Sequence, residues 1–261
     1  TELGAHLRVT SGPALEKMGD VAAILSNLEA NDVLFIDEVH RLNHLIEEVL
    51  YPAMEMRKLH MVIGKGPAAR THSLDLPPFT LLAATTKAHL ISHPLRSRFG
   101  ATFKLDYYEE LDIEKIVKKS AQVLKLSIVP EAVKMIALAS RFTPRVANRL
   151  LKRVRDYASV YNKEIIDAET VQAALNMLEI DHLGLEPADR RLLEVVIKKF
   201  DGGPVGINTL AAAMSDDPQT IEDVYEPYLM RLSLLQRTSS GRTVTPAAYK
   251  HLGLKVPDTL I

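Results

Sequence analysis

Val33-Leu34-Phe35-Ile36-Asp37-Glu38-Val39-His40 is the stretch on which the reading of this chain turns. Four apolar residues form a short buried strand that delivers two adjacent carboxylates to its carboxyl end. Open parallel α/β sheets gather their ligands at that end of the strands. In a nucleotide hydrolase, the first carboxylate of such a pair holds Mg²⁺ through its water shell. The second orients or deprotonates the attacking water. Standing alone, the pair fits a solvated turn as well, so its surroundings decide.

Upstream, Thr1 to Ala5 reads as the end of a helix, and the chain is expected to be a fragment of something longer. Leu7-Arg8-Val9-Thr10 reads as a strand, Ser11-Gly12-Pro13 as a turn, and Ala22 to Leu28 as a helix capped by Asp20. Downstream, a helix is predicted from Leu45 to Glu55. Alternating Leu59, Met61 and Ile63, the turn Gly64-Lys65-Gly66-Pro67 and a return arm ending at Leu74 and Leu76 predict a hairpin over 59–76. Phe79-Thr80-Leu81-Leu82-Ala83-Ala84-Thr85-Thr86 reads as a second buried strand ending in two hydroxyls. Strands alternating with helices predict a parallel sheet with helices on both faces.

Beyond Tyr107-Tyr108 the pattern is helical, with apolar residues three and four apart over 110–124, 131–141, 144–161 and 168–178. Glu179 to Gly184 reads as a linker. A third unit follows: helix 186–200, a turn at Asp201-Gly202-Gly203-Pro204, helix 208–214, and helix 218–231 with Asp217 as cap and Pro218 in its first turn. Short apolar runs around Leu234-Leu235 and Val244 flank a hairpin tip at Ser239-Ser240-Gly241. Three helices and a hairpin make the winged variant of helix-turn-helix. The domains predicted are thus 1–106, 107–181 and 182–261.

A chain of 261 residues has room for two or three cores. The absence of cysteine excludes disulfides and thiolate metal sites and fits a reducing cytoplasm. No apolar run approaches membrane-spanning length. A net charge of -1 leaves nucleic-acid binding open, because a local basic patch decides that.

Several further groups carry chemistry. Taken alone, Thr85-Thr86 fits a β-favourable strand end as well as a γ-phosphate sensor. Pro94-Leu95-Arg96-Ser97-Arg98-Phe99-Gly100 holds two arginines, which fit loose surface pairs or bidentate stabilisation of a phosphoryl group. Thr143-Pro144-Arg145 opens a helix with Arg145, Arg149, Lys152 and Arg153 on one face and Val146, Leu150, Leu151 and Val154 on the other. From Arg231 onward stand Arg231, Arg237, Arg242, Lys250 and Lys255 against the single acid Asp258. Arg237 and Arg242 flank the wing tip, where they suit either a DNA backbone or a solubilising role. His40 and His44 are four apart, but Arg41 rather than Glu follows the first, so they read as surface or cap residues and not as zinc ligands.

Together these elements resemble AAA+ ATPases, and within them the RuvB family of bacterial motors that drive branch migration at Holliday junctions. The resemblance is carried by Arg8 to Pro13, Leu34 to Leu42, Tyr51-Pro52-Ala53-Met54-Glu55, Gly64 to Arg70, Ala84-Thr85-Thr86, Pro94 to Gly100, Thr143-Pro144-Arg145, Gly202 to Gly206, and Glu226-Pro227-Tyr228-Leu229. It implies an α/β AAA+ core with an incomplete parallel sheet, a helical lid, and a C-terminal winged helix. It further implies ATP and Mg²⁺ as cofactors, with Asp37 and Glu38 as the Walker B pair and Asp37 meeting the metal through water. Thr86 or Thr85 becomes sensor 1, Arg98 the finger reaching a neighbour's ATP, and Arg145 sensor 2. Tyr108 packs near the adenine, Glu55, Met56 and Arg57 lie near the nucleotide, and Arg237 and Arg242 contact DNA. The implied partners are RuvA, docked on the 59–76 hairpin, RuvC, the junction with its duplex arms, and further copies in a hexameric ring.

The chain departs from the family pattern in places. Met56-Arg57-Lys58 stands where an acidic–aromatic pair is usual, Lys87 replaces an arginine, and Asp217 occupies a position where relatives can carry a DNA-contacting arginine. No G-x-x-x-x-G-K-[ST] phosphate loop occurs in the 261 residues. It is expected just upstream of Thr1, and without it the chain is expected to bind ATP poorly and not to hydrolyse it. Two other classes remain open at this point: an inactive AAA+ relic serving as a winged-helix DNA or protein adaptor, and a clamp-loader-like subunit.

Overall fold

The computed structural model describes residues 4–63 and 70–257, so the hairpin turn at Gly64-Lys65-Gly66-Pro67, the start at Thr1 and Asp258 lie outside the described residues. Gly4 and Ala5, read as a helix end, are not helical. The chain divides into two compact parts, Thr1–Lys104 and Leu105–Ile261.

In the first part, β1 (Leu7–Ser11), α1 (Met18–Ser26), β2 (Val33–Asp37), α2 (His44–Met56), β3 (Lys58–Ile63), β4 (Arg70–Asp75), β5 (Thr80–Ala83) and α3 (His93–Ser97) follow in order. β2 is central and parallel to β1 on one side and β5 on the other. Leu34 and Ile36 are buried, in a core with Leu25, Ile46 and Leu50 from α1 and α2. The other face carries Leu7, Val9 and Leu82 exposed. Helices therefore cover one face among the described residues, where two were expected. The second strand is correspondingly shorter than 79–86 and half-exposed, because Thr80 and Leu82 point away from that core. The first helix also starts earlier than expected. Asp20 caps it from inside, accepting the backbone N–H groups of Lys17 (2.9 Å) and Glu16 (3.2 Å). β3 and β4 pair antiparallel from Lys58↔Asp75 to Ile63↔Arg70, which is the expected hairpin.

In the second part, α4 (Glu110–Val123), β6 (Ser127–Ile128), α5 (Pro130–Leu138), α6 (Pro144–Val160), β7 (Ile165–Ile166) and α7 (Ala168–Met177) enclose an aliphatic core that includes Ile113, Val117, Ile136, Leu150, Leu151 and Val171. α8 (Pro187–Phe200), α9 (Ile207–Met214), α10 (Pro218–Thr220), α11 (Glu226–Arg231), β8 (Leu235–Thr238), β9 (Gly241–Val244) and α12 (Pro246–His251) form the winged helix around Leu192, Val196, Leu210, Leu229 and Val244. The helix read as continuous over 218–231 is interrupted by a π turn at Ile221–Tyr225. Pro227 has no N–H to offer the carbonyl four residues back, and the backbone widens there instead. The closing helix α12 was not anticipated.

Gly203 explains the Gly-Gly-Pro turn. Its φ is +99°, and a Cβ would overlap the Arg242 carbonyl of the wing, so only glycine lets the turn lie against β9. Val205 and Arg242 bridge there, N–H to carbonyl in both directions at 3.0 and 2.8 Å.

The stretch Glu179–Gly184, read as a linker, is a locked turn. Asp181 accepts the N–H groups of Leu183 and Leu185, both at 2.9 Å, and its other oxygen meets His251 Nε2 at 2.8 Å. Arg190 donates to the carbonyls of Leu185 (2.7 Å) and Glu179 (2.8 Å). The Tyr228 hydroxyl donates to the Leu183 carbonyl. Burial pushes its pKa up to about 12, against the opposing cation of Arg141. Among the described residues no helix is long and apolar enough to cross a membrane.

The Tyr228 phenol stays protonated in the fold where an unfolded tyrosine ionises, near pH 10. Its stabilising contribution is therefore complete below about pH 10 and is lost as pH rises toward about 12. Denaturant titrations across that interval should show wild type losing stability more steeply than Tyr228→Phe. Parallel slopes would contradict the assignment.

Candidate functional site

The acidic pair sits where the strand reading put it. Asp37 ends β2 and is exposed, and one of its carboxylate oxygens accepts the Glu38 backbone N–H at 2.9 Å. Glu38 turns sharply out of the strand, with φ 49° and ψ 43°. A left-handed non-glycine residue costs on the order of 1 kcal/mol, and such strain collects at working sites. The turn is held from both sides. Gly12 packs so close that a Cβ would overlap the Glu38 carbonyl oxygen, and Val39 N–H donates to the Ala84 carbonyl at 3.0 Å. The Glu38 carboxylate lies 3.5 Å from Arg41 Nη1, a loose exposed pair.

Asp37 has one carboxylate oxygen free of this turn. A single hard oxygen donor suits Mg²⁺, which keeps most of its waters and takes the rest of its shell from phosphates. Among the described residues no group of three His, Asp or Glu is placed to hold a metal directly. His40 is engaged otherwise: its Nδ1 shares a 2.9 Å hydrogen bond with Thr85 Oγ1. Thr85 also accepts the Lys87 N–H at 3.0 Å, whereas Thr86 is exposed. The two hydroxyls offered as sensor candidates thus differ, one committed to the histidine and one open.

Arg98 follows the short helix α3. Ser92 caps that helix, and its hydroxyl donates to buried Glu47 at 2.5 Å. The Tyr51 hydroxyl donates to the same Glu47 oxygen at 2.9 Å. Burial raises the Tyr51 pKa above the ordinary tyrosine range, and Glu47 adds to the effect. The Arg98 guanidinium lies over the Tyr51 ring at 4.2 Å and donates to the Pro94 carbonyl at 2.7 Å. Its Nε stands 3.0 Å from Glu55 at an angle short of a hydrogen bond. The side chain is 24% exposed, folded onto its own chain rather than extended toward a neighbour. Glu55, expected near the nucleotide, is here the acid that faces Arg98. Met56 is exposed, and Arg57 ends α2 in a left-handed conformation.

In the second part, Arg145 stands exposed in the first turn of α6, after Thr143 and Pro144. Arg145, Asn148, Arg149, Lys152, Arg153, Arg155 and Asp156 line an open basic groove of about 490 Å³, while Leu150, Leu151 and Val154 face the core. Tyr108 lies on a second cleft of about 220 Å³, with Leu105, Asp106, Tyr107, Phe142, Thr143 and Pro144.

The wing corrects one expectation. Arg237 and Arg242 are cross-strand partners, but only Arg237 is at the surface. The Arg242 side chain is 6% exposed, with Nε 2.6 Å from buried Glu226 and Nη2 2.7 Å from Glu222. The Glu226 hydrogen bond drives its pKa further upward. A guanidinium so enclosed staples the wing to α11 and does not reach a DNA backbone. The signal available in the sequence was the pair Glu222 and Glu226, four apart on the preceding helical stretch.

An acidic strand end, a helical lid opening on an arginine, and a winged helix define an AAA+ nucleotide hydrolase of the DNA-handling kind. Family models agree: the P-loop domain of the Holliday junction DNA helicase RuvB matches residues 1–105, the RuvB AAA lid domain 108–181, and the RuvB C-terminal winged helix domain 182–253. A Holliday junction branch migration complex subunit RuvB from Rubrobacter xylanophilus is 56% identical over 257 residues, spanning 98% of this chain and 72% of that protein. The solved Thermotoga maritima RuvB Holliday junction branch migration motor superimposes with a TM-score of 0.79 at 46% identity, covering 97% of this chain and 80% of that one. A proline-to-glycine mutant of the Thermotoga protein gives 0.81 at 45% identity, covering 98% and 82%. The chain belongs to the RuvB family of AAA+ P-loop ATPases.

Truncating Arg242 to alanine leaves Glu226 buried and unpaired, and should lower the stability of the winged helix by about 3–5 kcal/mol. Arg237→Ala should change it by less than about 0.5 kcal/mol. Urea denaturation of both variants checks this, and similar losses would show that Arg242 is not the buried staple.

Proposed function

We propose that this chain is the motor subunit of a branch-migration complex, hydrolysing ATP to drive duplex DNA through a Holliday junction in recombination and repair. The observation that carries the reading is the strained acidic turn at Asp37-Glu38, in a chain that also holds a winged helix and is 56% identical to a RuvB subunit. Asp37 would hold Mg²⁺, which would supply positive charge to the phosphates, and Glu38 orients and deprotonates the attacking water. Thr86, with its hydroxyl open, or Thr85 senses the γ-phosphate. Arg145 reads the phosphates from the lid, Tyr108 meets the adenine, and Glu55, Met56 and Arg57 lie toward the nucleotide. Arg98 swings from Glu55 and Tyr51 to stabilise the phosphoryl charge on a neighbouring subunit's ATP.

The β3–β4 hairpin docks on RuvA, RuvC joins the same complex, and six copies close a ring around DNA in the cytoplasm. Arg237 supplies a wing contact to the backbone, adding affinity and salt dependence without sequence reading. The phosphate-loop lysine and its amides are not among these 261 residues. The 261 residues by themselves are therefore expected to bind ATP weakly, and the catalytic tests below use the full-length protein.

Junction-stimulated ATPase of that protein should fall at least about 100-fold in Glu38→Gln, the scale of a lost general base. Arg98→Ala should cost about a thousandfold or more, the scale of a lost arginine finger. Full activity in Glu38→Gln would sink the assignment.

A further inference from the structure

Arg231 ends α11 in the winged helix, yet its guanidinium carbon lies 4.4 Å from the Tyr107 ring centre and 4.6 Å from that of Phe142. The cation is clasped between two rings, and both rings line the cleft that holds Tyr108. Tyr107 belongs to an irregular stretch without helix or strand, so this stack ties it to the fold.

The Phe142 wall is braced by the winged helix as well. Arg141 and Phe142 both take left-handed conformations, with φ 54° and 56°. The Arg141 guanidinium is fastened to buried Asp189 and donates to the Gly184 carbonyl at 2.9 Å. It also lies over the Tyr228 ring at 5.0 Å, and Phe142 packs against that ring at 6.5 Å. The winged helix thus fixes one wall of the cleft from behind and, through Arg231, holds the other wall beside it.

A cleft whose lining side chains are ordered beforehand binds a base more tightly than one whose lining the base must order itself. We propose that Arg231 is a positioning residue for the base cleft: a winged-helix cation that sets Tyr107 against Phe142 and thereby raises purine affinity. Arg231 acts through the two rings and does not touch the nucleotide. The inference rests on reading the Tyr108 cleft as the base site.

The test uses the full-length protein, comparing Arg231→Met and Arg231→Lys with wild type for ATP and for CTP. Arg231→Met removes the cation at similar length and should raise the Kd and KM for ATP about three- to tenfold, the scale of a lost double cation–π contact. Its kcat at saturating ATP should stay within about twofold, and its preference for ATP over CTP should narrow. Arg231→Lys keeps the charge and should recover most of the loss, which also covers the case of a poorly folded methionine variant. Equal losses for ATP and CTP, or a lysine variant as impaired as the methionine one, would overturn the proposal. Tyr108→Ala separates the two layers. If it leaves ATP affinity unchanged, the cleft is not the base site and both readings fall. If it weakens ATP while Arg231→Met does not, only the role of Arg231 falls.

Discussion

The parallel pairing of β2 with a strand on each side is the constraint on which the rest of the first part depends. The register sets Ser11 beside Asp37 and Ala83 beside Ile36, so the carboxyl ends of three strands stand in one row. Asp37 is placed by strand geometry, not by side-chain contacts, and Glu38 by the turn that Gly12 and Ala84 enclose. A shift of one residue in register would send Leu34 and Ile36 out of the core and turn Asp37 to the opposite face. Leu34 and Ile36 are almost wholly buried, so such a slip is costly, and the position of the acids follows from burial energy.

The second part depends on a different kind of bond. Arg141–Asp189, Tyr228–Leu183 and Arg190 with His251 around Asp181 turn what reads as a linker into a set of polar ties across helices. Asp189 is 1% exposed, and burial alone would raise its pKa strongly. The Arg141 cation opposes that rise, and the net displacement remains upward. Such a pair is costly to break, because removing either partner leaves the other buried without a counter-ion. One of these ties, Arg141–Asp189, lies two residues before the Thr143-Pro144-Arg145 segment, so it anchors the turn that leads into the lid arginine.

Local signals carried most of the architecture. The acidic strand, the hairpin arms, the lid helices and the Asp217 cap all follow from periodicity and turn chemistry over fewer than twenty residues. Features that depend on distant partners were not legible. Arg242 looks in sequence like its exposed neighbour across the hairpin, Arg237, and only the folding of Glu222 and Glu226 against it makes it a buried staple. Arg98 carries nothing in its own segment to announce Glu55 and Tyr51, more than forty positions earlier. The exposed face of the sheet was equally hidden, since an apolar strand reads the same whether one face is covered or two. The π turn had a local cause in Pro227, but proline more often announces a kink or a start than a widened turn.

The proposed catalytic centre is shared between two copies, with the acids of one subunit served by the arginine of the next. Mixing two inactive variants of the intact protein, Glu38→Gln and Arg98→Ala, tests this most directly. In a mixed ring some interfaces pair an intact acid turn with an intact arginine from the neighbour, so junction-stimulated ATPase should reappear on mixing. If the mixture stays as inactive as either variant while mixed assemblies demonstrably form, Arg98 serves its own subunit and the shared centre is wrong.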